Sequence, residues 1–346
     1  MPILDSISEF AFINRITEGL SVHPDQVNHR HEADAEIIRQ PDGSFLAATV
    51  DAFYEEYHLG LIRDPYVIGW NLVANSLSDL AAVAAAPIGV LLALTIPPKQ
   101  DPNWGKQLFA GVQAALTRHK THCLGGDTSF GDPPQFSCTA LGTIFRKKPL
   151  LRLGAGPDDL LFLTGPLGAG NMLAITQRFF PEIWKTQEKN FLPRAKFTEM
   201  QIFEKFAKCA IDTSDSLLQT LSILAGVNNI GIEFDHFPEL YIPEIVTLTS
   251  KMHFPLWLTN VLGLGEYEIL MSIERNQESD FVEEARRNKI PILKLGNTSS
   301  NPGIRMRDKG KTFQLDAPYL LNLYGTCPST EAYIEKLVLY DRNLRK

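Results

Sequence analysis

Apolar residues along the chain recur with two different spacings, and the changes of spacing mark the elements. Residues 6–20 place Phe10, Ile13 and Ile16 or Leu20 on one face, which predicts a helix. The stretch AEIIRQPDGSFLAATVDAF, residues 35–53, predicts two strands around a Pro-Asp-Gly turn. Residues 64–85, DPYVIGWNLVANSLSDLAAVAA, predict one long and mostly apolar helix, and IGVLLALTIPP at 88–98 predicts a buried strand. An amphipathic helix is expected over 103–120. THCLGGDTS, residues 121–129, reads as a short strand breaking into a Gly-Gly-Asp turn, and residues 135–147 as another strand.

LLRLGAGPDD, residues 150–159, is rich in Gly, Pro and charge and reads as a boundary, giving domains at 1–150 and 151–346. The second half restarts with a strand, LLFLTG, and a glycine-rich entry to a helix, PLGAGNMLAITQRFF. A helix follows CAIDTSDSLL, then come a strand in EYEILMSIE, a helix near 279–288 and a strand in PILKLGNTS. Strands and helices mix in each half without strict βαβ alternation, so the expected class is α+β rather than one doubly wound sheet.

Composition narrows the function. The chain has 346 residues and a net charge of −7, with no basic patch, which excludes a phosphate-backbone binder and leaves no nucleic-acid partner. No apolar run is long enough to span a membrane, and the first residues carry acidic groups without the basic start of a signal peptide. Cys123, Cys138, Cys209 and Cys327 form no C-x-x-C pair, which fits a reducing cytoplasm.

Candidate chemistry starts in the long helix. Asn71, Asn75 and Asp79 stand at i, i+4 and i+8, a polar stripe on a helix apolar enough to be buried elsewhere. A buried charge needs a partner. One reading is a hydrogen-bonded core network; the other is that Asp79 ligates a cation or faces a polar cleft. Asp51 and Asp127 lie where apolar strands run out, an unusual place for a poor strand former, and Asp34 precedes the first strand. Asp212 and Asp215 stand immediately before a helix, where ordinary capping also accounts for them. Several carboxylates, with Asn75 and Thr128, make an oxygen-rich set suited to Mg²⁺ and hence to phosphoryl transfer. The phosphate-binding glycine motifs are missing: KGKT at 309–312 has Arg305 where the upstream glycine should be, and TGPLGAG has the wrong spacing. His23, His29 and His31 fall in a polar loop and read as solvated.

These motifs, in this order, resemble the thiamine-monophosphate kinase family, within the superfamily that includes aminoimidazole ribonucleotide synthetase. The resemblance is carried by SEFAFINRI, EADAEI, VDAFYEEYHL, GWNLVANSLSDLAAVAAAP, LGGDTS, LRLGAGPDD, LTGPLG, IDTSDSLL and LGEYEIL, and so spans nearly the whole chain. It implies two α+β domains, a homodimer whose N-terminal sheets pair, and ATP bound without a P-loop, with Mg²⁺ bridging aspartates and phosphates. Carried over by position, the metal ligands are Asp34, Thr49, Asp51, Asp79, Asp127, Asp212 and Asp215, with Asp212 and Asp215 at the catalytic centre. Phe109, Gly126, Asp127, Arg152 and Ser214 would contact ATP, and His58 and Glu266 the substrate.

The chain also departs from the family pattern. Ala33 replaces the first of a pair of aspartates, Gly265 stands where the family has a substrate-side Glu, Glu56 stands where it has Gly, and Ser216 replaces a Gly. Metal positions are kept while substrate positions drift. The implied reaction is transfer of a phosphoryl group from ATP to thiamine phosphate or to a related phosphorylated or amide-like acceptor. An ATP-dependent cyclase or dehydratase of the same superfamily, and a catalytically silent nucleotide-binding dimer, are the other readings. The dehydratases that end in a cysteine-bearing tail and the synthetases with a reactive early cysteine fit less well, since the chain ends DRNLRK and its first cysteine is Cys123.

Overall fold

The structure, a computed structural model, describes residues 2–346. The helix expected at 6–20 is found as the shorter α2 (Ser8–Ile16), preceded by a separate turn of helix, α1 (Pro2–Asp5). Both lie against the second half of the chain: Leu4, Ile7 and Phe10 share a core with Leu217 and Leu221, and the Ser8 amide and hydroxyl donate to Asn322 Oδ1 at 2.9 and 2.8 Å.

The first sheet is built from β1 (Glu36–Arg39), β2 (Phe45–Ala52), β3 (Ala86–Ile96), β4 (Cys123–Phe130) and β5 (Gln135–Ile144) in the order β1-β2-β5-β3-β4. Between them fall α3 (Glu55–His58), α4 (Pro65–Ala82) and α5 (Pro102–His119). Asp64 caps α4, accepting from the Tyr66 and Val67 amides at 2.9 and 3.3 Å, with Pro65 preset for the first turn. The helix stops at Ala82, three residues before the expected end, because Ala84 takes a left-handed φ of 55°.

Two expectations about this sheet are corrected. β3 is not buried on both sides: Val90, Leu92 and Leu94 point inward while Ile88 and Leu91 are exposed, since α4 covers only one face. Gly125 and Gly126 do not end a strand in a turn; β4 runs through them, parallel to β3, with Gly126 opposite Leu92. A Cβ on Gly126 would lie 2.0 Å from the Leu92 carbonyl oxygen, so the glycines permit close pairing rather than reversal. β4 is exposed along its whole length at the sheet edge.

The α4–α5 crossing also depends on glycine. A Cβ on Gly69 would fall 2.0 Å from Leu108 O, and one on Gly111 would fall 1.9 Å from Tyr66 O. Backbone cannot yield as a side chain can. Gly111→Ala is therefore expected to destabilise the fold by about 2 kcal/mol or more, despite the gain in helix propensity of up to about 1 kcal/mol. Urea denaturation measures this, and a more stable variant would contradict the contact.

The second sheet uses β6 (Leu160–Leu163), β7 (Ala207–Asp212), β8 (Gly231–Asp235), β9 (Ile269–Ile273), β10 (Leu293–Ser299), β11 (Gly303–Asp308) and β12 (Lys311–Leu315), ordered β12-β11-β8-β10-β6-β9-β7. The helices of this half are α6 (Ala169–Phe179), α7 (Pro181–Asn190), α8 (Phe197–Phe203), α9 (Leu217–Asn228), α10 (Pro243–Lys251), α11 (Glu278–Arg287), α12 (Ala317–Asn322) and α13 (Thr330–Leu344). β6 and β9 are buried throughout, as strands covered on both faces should be. With strands and helices mixed around two sheets, the class is α+β, as the pattern predicts. The apolar core is continuous between the halves: Phe162 and Phe281, rings 4.9 Å apart, pack in the same cluster as Ile37, Leu72 and Phe136. No helix among the described residues is long and apolar enough to cross a membrane.

Candidate metal centre

The end of α4 meets the end of β7, and the meeting is polar. Ser78 Oγ donates to Asp212 Oδ2 at 2.7 Å, and Thr49, from β2, donates from Oγ1 to Asp79 Oδ2 at 2.5 Å. Asp34 enters from the bend before β1, where its Oδ1 accepts from the Asp212 amide at 3.3 Å. Asp34, Asp79 and Asp212 each bring a carboxylate oxygen within 4.8 Å of the others. Residues 34, 79 and 212 are distant in sequence and converge because strand starts, strand ends and helix ends of the two sheets face one cleft.

Like charges about 4 Å apart repel by roughly 4 kcal/mol per pair at an effective dielectric near 20. The carboxyl groups register this. Burial, then the charge of Asp34, pushes Asp212 up to about 7, against the opposing bonds from Ser78 and Ser214 and the charge of Arg152. Asp79 is held well above the usual carboxylate range by burial and then by Asp51, Asp212 and Asp34. Burial likewise raises Asp51. Arg152 is the compensating cation: its Nη2 sits 2.9 Å from Asp34 Oδ1, and its backbone is held by Glu32 O and by Asn228 Nδ2. One arginine does not balance four aspartates. Asp34 Oδ2 and Asp51 Oδ2 are buried without a hydrogen-bond partner. Orphaned carboxylate oxygens within a hard-oxygen donor set fit a divalent cation such as Mg²⁺.

Other expected residues flank this centre. Ser214 donates from Oγ to Asp212 Oδ1 at 2.8 Å, tightening the turn after β7. Ser216, not either aspartate, caps α9, accepting from the Gln219 amide at 3.1 Å. Capping therefore does not account for Asp212 and Asp215. Asp215 stands at the mouth, bonded by Gln219 Nε2 at 2.7 Å; partial removal from water, then Glu9, then Glu55 and Asp51, push it up to about 6, opposed by Arg152. His58 is half-buried on α3 with its ring 4.1 Å from that of Tyr54 and its Nε2 unpartnered.

The remainder lie elsewhere. Asp127 and Gly126 are exposed on β4, and Phe109 is exposed on α5. Glu266 is turned to the start of α6, where it accepts from the Gly170 amide at 3.2 Å and from Asn171 Nδ2 at 3.0 Å; burial pushes it up to about 7. Asn71 does not join Asp79: its Nδ2 donates to Val67 O and Phe191 O at 2.9 and 3.1 Å. Eight residues of helix turn about 80° past two full turns, which takes Asn71 off the face of Asp79. Asn75 keeps nearer that face and is half-buried. Sequence reasoning passed over Ser78, Glu9 and Tyr267. Ser78 had a signal in its position beside Asp79; Glu9 and Tyr267 had one in lying within SEFAFINRI and LGEYEIL, two of the stretches that carry the family resemblance. A surface hollow of 720 Å³ beside Ile304, Gln314 and Tyr340 shares no residue with the aspartate centre.

Comparison with known proteins places this geometry. Residues 32–144 match the family AIR synthase related protein, N-terminal domain. The thiamine-monophosphate kinase of Bacillus subtilis (strain 168) is 27% identical over 301 residues, covering 84% of this chain and 91% of the relative. The thiamine-monophosphate kinase of Haemophilus influenzae (strain ATCC 51907 / DSM 11121 / KW20 / Rd) is 29% identical over 305 residues, so the chain is similar to thiamine-monophosphate kinases over most of its length. The crystal structure of the thiamine-monophosphate kinase from Stenotrophomonas maltophilia K279a superposes with a TM-score of 0.68 at 25% identity, covering 88% of this chain and 98% of that one. AaThiL complexed with AMPPCP and TMP shares the fold, with a TM-score of 0.73 at 21% identity over 89% of this chain and 94% of that one.

Proposed function

We propose that the protein is an ATP- and Mg²⁺-dependent phosphotransferase that converts thiamine monophosphate and ATP to thiamine diphosphate and ADP. The observation that carries this reading is the convergence of Asp34, Asp79 and Asp212 within 4.8 Å beside a single arginine. The relatives named thiamine-monophosphate kinase supply the substrate class. In this reading Asp34, Asp51, Asp79, Asp212 and Asp215 hold the cations, which supply charge neutralisation for the triphosphate and the acceptor phosphate. The chain's own residues then position. Thr49 and Ser78 fix the Asp79 and Asp212 carboxylates, Arg152 pairs with and orients the Asp34 carboxylate, and Ser214 orders the turn that faces the nucleotide. His58, with a free ring nitrogen, offers a contact to the acceptor.

Two further parts of the reading concern assembly. The division at residue 150 separates the two sheets. The exposed edge of β4, bearing Gly126 and Asp127, suits pairing with a second copy in a homodimer.

The test is direct. Incubation with thiamine monophosphate, ATP and MgCl₂ is expected to yield thiamine diphosphate and ADP in equal amounts, and chelation of the metal by EDTA to stop it. ADP and inorganic phosphate without a phosphorylated product would move the assignment to the cyclase or dehydratase class. ATP binding without turnover would make it a silent nucleotide-binding protein.

A further inference from the structure

The polar stripe on α4 has a member that the metal centre does not use. Asn71 is fully buried and donates from Nδ2 to Phe191 O at 3.1 Å, and its neighbour Trp70 donates from Nε1 to Pro193 O at 2.7 Å. Both acceptors lie in FLPRAK, residues 191–196, the connection between α7 and α8. A third side chain of the first half holds the same connection. His119, at the end of α5, accepts from the Ala195 amide on Nε2 at 3.0 Å and donates from Nδ1 to Ala115 O at 2.8 Å. A carbonyl only accepts and an amide N–H only donates, so these two bonds fix a neutral imidazole in one tautomer. Three backbone groups of the connection are thus met by side chains of α4 and α5.

The last residue of the connection reaches the other half of the aspartate centre. Lys196 Nζ donates to Glu268 Oε1 at 2.5 Å, and Thr164 Oγ1 donates to Glu268 Oε2 at 2.6 Å; Lys196 and Glu268 are each only 8% exposed. The main chain of Glu268 is bonded in turn to Thr213. Its carbonyl accepts from the Thr213 amide and hydroxyl at 2.8 and 3.0 Å, and its amide donates to Thr213 Oγ1 at 3.0 Å. Thr213 stands between Asp212 and Ser214.

A continuous run of contacts therefore joins the helix that carries Asp79 to the turn that carries Asp212. Asn71 lies eight residues, about 12 Å, along α4 from Asp79. A buried ion pair contributes little net stability, since desolvation of both charges offsets most of their attraction. What the Lys196–Glu268 pair supplies is a short, directed bond between the connection and the segment that holds Thr213.

We propose that residues 191–196 form a strap that sets the separation of Asp79 and Asp212, and that Asn71 and Lys196 are positioning residues for the cation these carboxylates hold. Lys196 acts through Glu268 and Thr213, and Asn71 through the axis of α4. This rests on the metal centre of the phosphotransferase reading above, and it names residues outside that centre on which the cation's affinity depends.

The test reads metal binding without turnover. Mn²⁺, which takes the same kind of oxygen ligands as Mg²⁺, is titrated into the full-length protein, and free Mn²⁺ is followed by its EPR signal. Lys196→Met and Asn71→Leu are each expected to weaken binding about tenfold, the lower end of the range for residues that orient metal ligands. Lys196→Arg, which keeps a charged donor, should stay within about threefold of wild type. Because both residues act through one strap, the double variant should bind within about twofold of the weaker single variant, whereas independent effects would multiply to about a hundredfold. A melting transition shows that each protein is folded at the temperature of titration. Undiminished Mn²⁺ affinity in either folded single variant overturns the proposal. So does a multiplied loss in the double variant, or a Lys196→Arg protein as weak as Lys196→Met. Where Lys196→Met does not fold, Asn71→Leu carries the test by itself. Turnover separates this from the broader reading: wild type that binds Mn²⁺ but transfers no phosphoryl group strikes the kinase and leaves the strap, and transfer with Mn²⁺ affinity unmoved in the variants does the reverse. Wild-type protein that binds no Mn²⁺ overturns the centre and the strap together.

Discussion

Asp212→Asn is expected to lower kcat/KM by about a thousandfold while making the metal-free protein more stable. The loss follows because Asp212 is one of three carboxylates within 4.8 Å, and an amide brings no charge to a cation that must offset two anions. The gain follows from the same closeness. Asp212 is buried, its carboxyl is raised to about 7, and above that pH its negative charge faces Asp34 and Asp79. Asparagine keeps an oxygen to accept from Ser78 and removes the charge. Urea denaturation at pH 8 in EDTA is expected to show stabilisation of roughly 1–2 kcal/mol, the lower part of the range for replacing a buried charge. Undiminished turnover would remove Asp212 from the site, and lower stability would show that its charge serves the fold. The pair of effects together identifies a group retained for function at the expense of the folded state.

The second large effect is the response of stability to pH and metal. Asp212, Glu56 and Glu266 are each raised to about 7 in the folded protein, whereas unfolded carboxyls titrate near about 4. A group with a raised folded pKa binds its proton more tightly when folded. Unfolding between about pH 4 and 7 therefore releases protons, and stability falls as pH rises through that window, then levels above about 7. Metal-free protein should melt several degrees higher at pH 5.5 than at pH 8. Mg²⁺ competes with protons for Asp212 and its neighbours, so added Mg²⁺ should raise the melting temperature more at pH 8 than at pH 5.5 and flatten the pH profile. Glu266 lies at the start of α6 and is served by the Gly170 amide and the Asn171 side chain, so a residual slope should persist with Mg²⁺ present. A Mg²⁺ effect of equal size at both pH values would place the cations away from the raised carboxyls.

Much of the first half could be read from the chain because its signals are local. Asp64-Pro65 announces the start of α4, and the alternation through β5 follows a sheet covered on one face. Where local signals mislead, tertiary contact explains it. Gly125-Gly126 has the composition of a turn, yet the glycines serve close approach of β4 to β3. The first helix looks like part of the first half, but Leu4, Ile7 and Phe10 find their partners around Leu217 and Leu221. The polar helix α7 carries too little apolar periodicity to be seen, whereas β11, where Ile304 and Met306 alternate with Arg305 and Arg307, carries a strand pattern that sequence reasoning passed over. At the site, the family resemblance brought forward Asp34, Asp79 and Asp212 together, which spacing alone could not do, since nothing in sequence ties residue 34 to 212. It could not foretell that Glu266 would be turned to α6, or that Asn71 would hold the chain at Phe191. Those depend on which atoms are already occupied, a property of packing.

The glycine contact between α4 and α5 reaches further than the stability of that pair. A helix behaves as a stiff rod, and Asp79 lies ten residues, about 15 Å, along it from Gly69. Whatever prises the two backbones apart at Gly69 and Gly111 would swing the far end like an oar about its lock, carrying Asp79 away from Thr49 and out of line with Asp34 and Asp212. The smallest residues in the fold thus set the aim of its acidic centre from a distance.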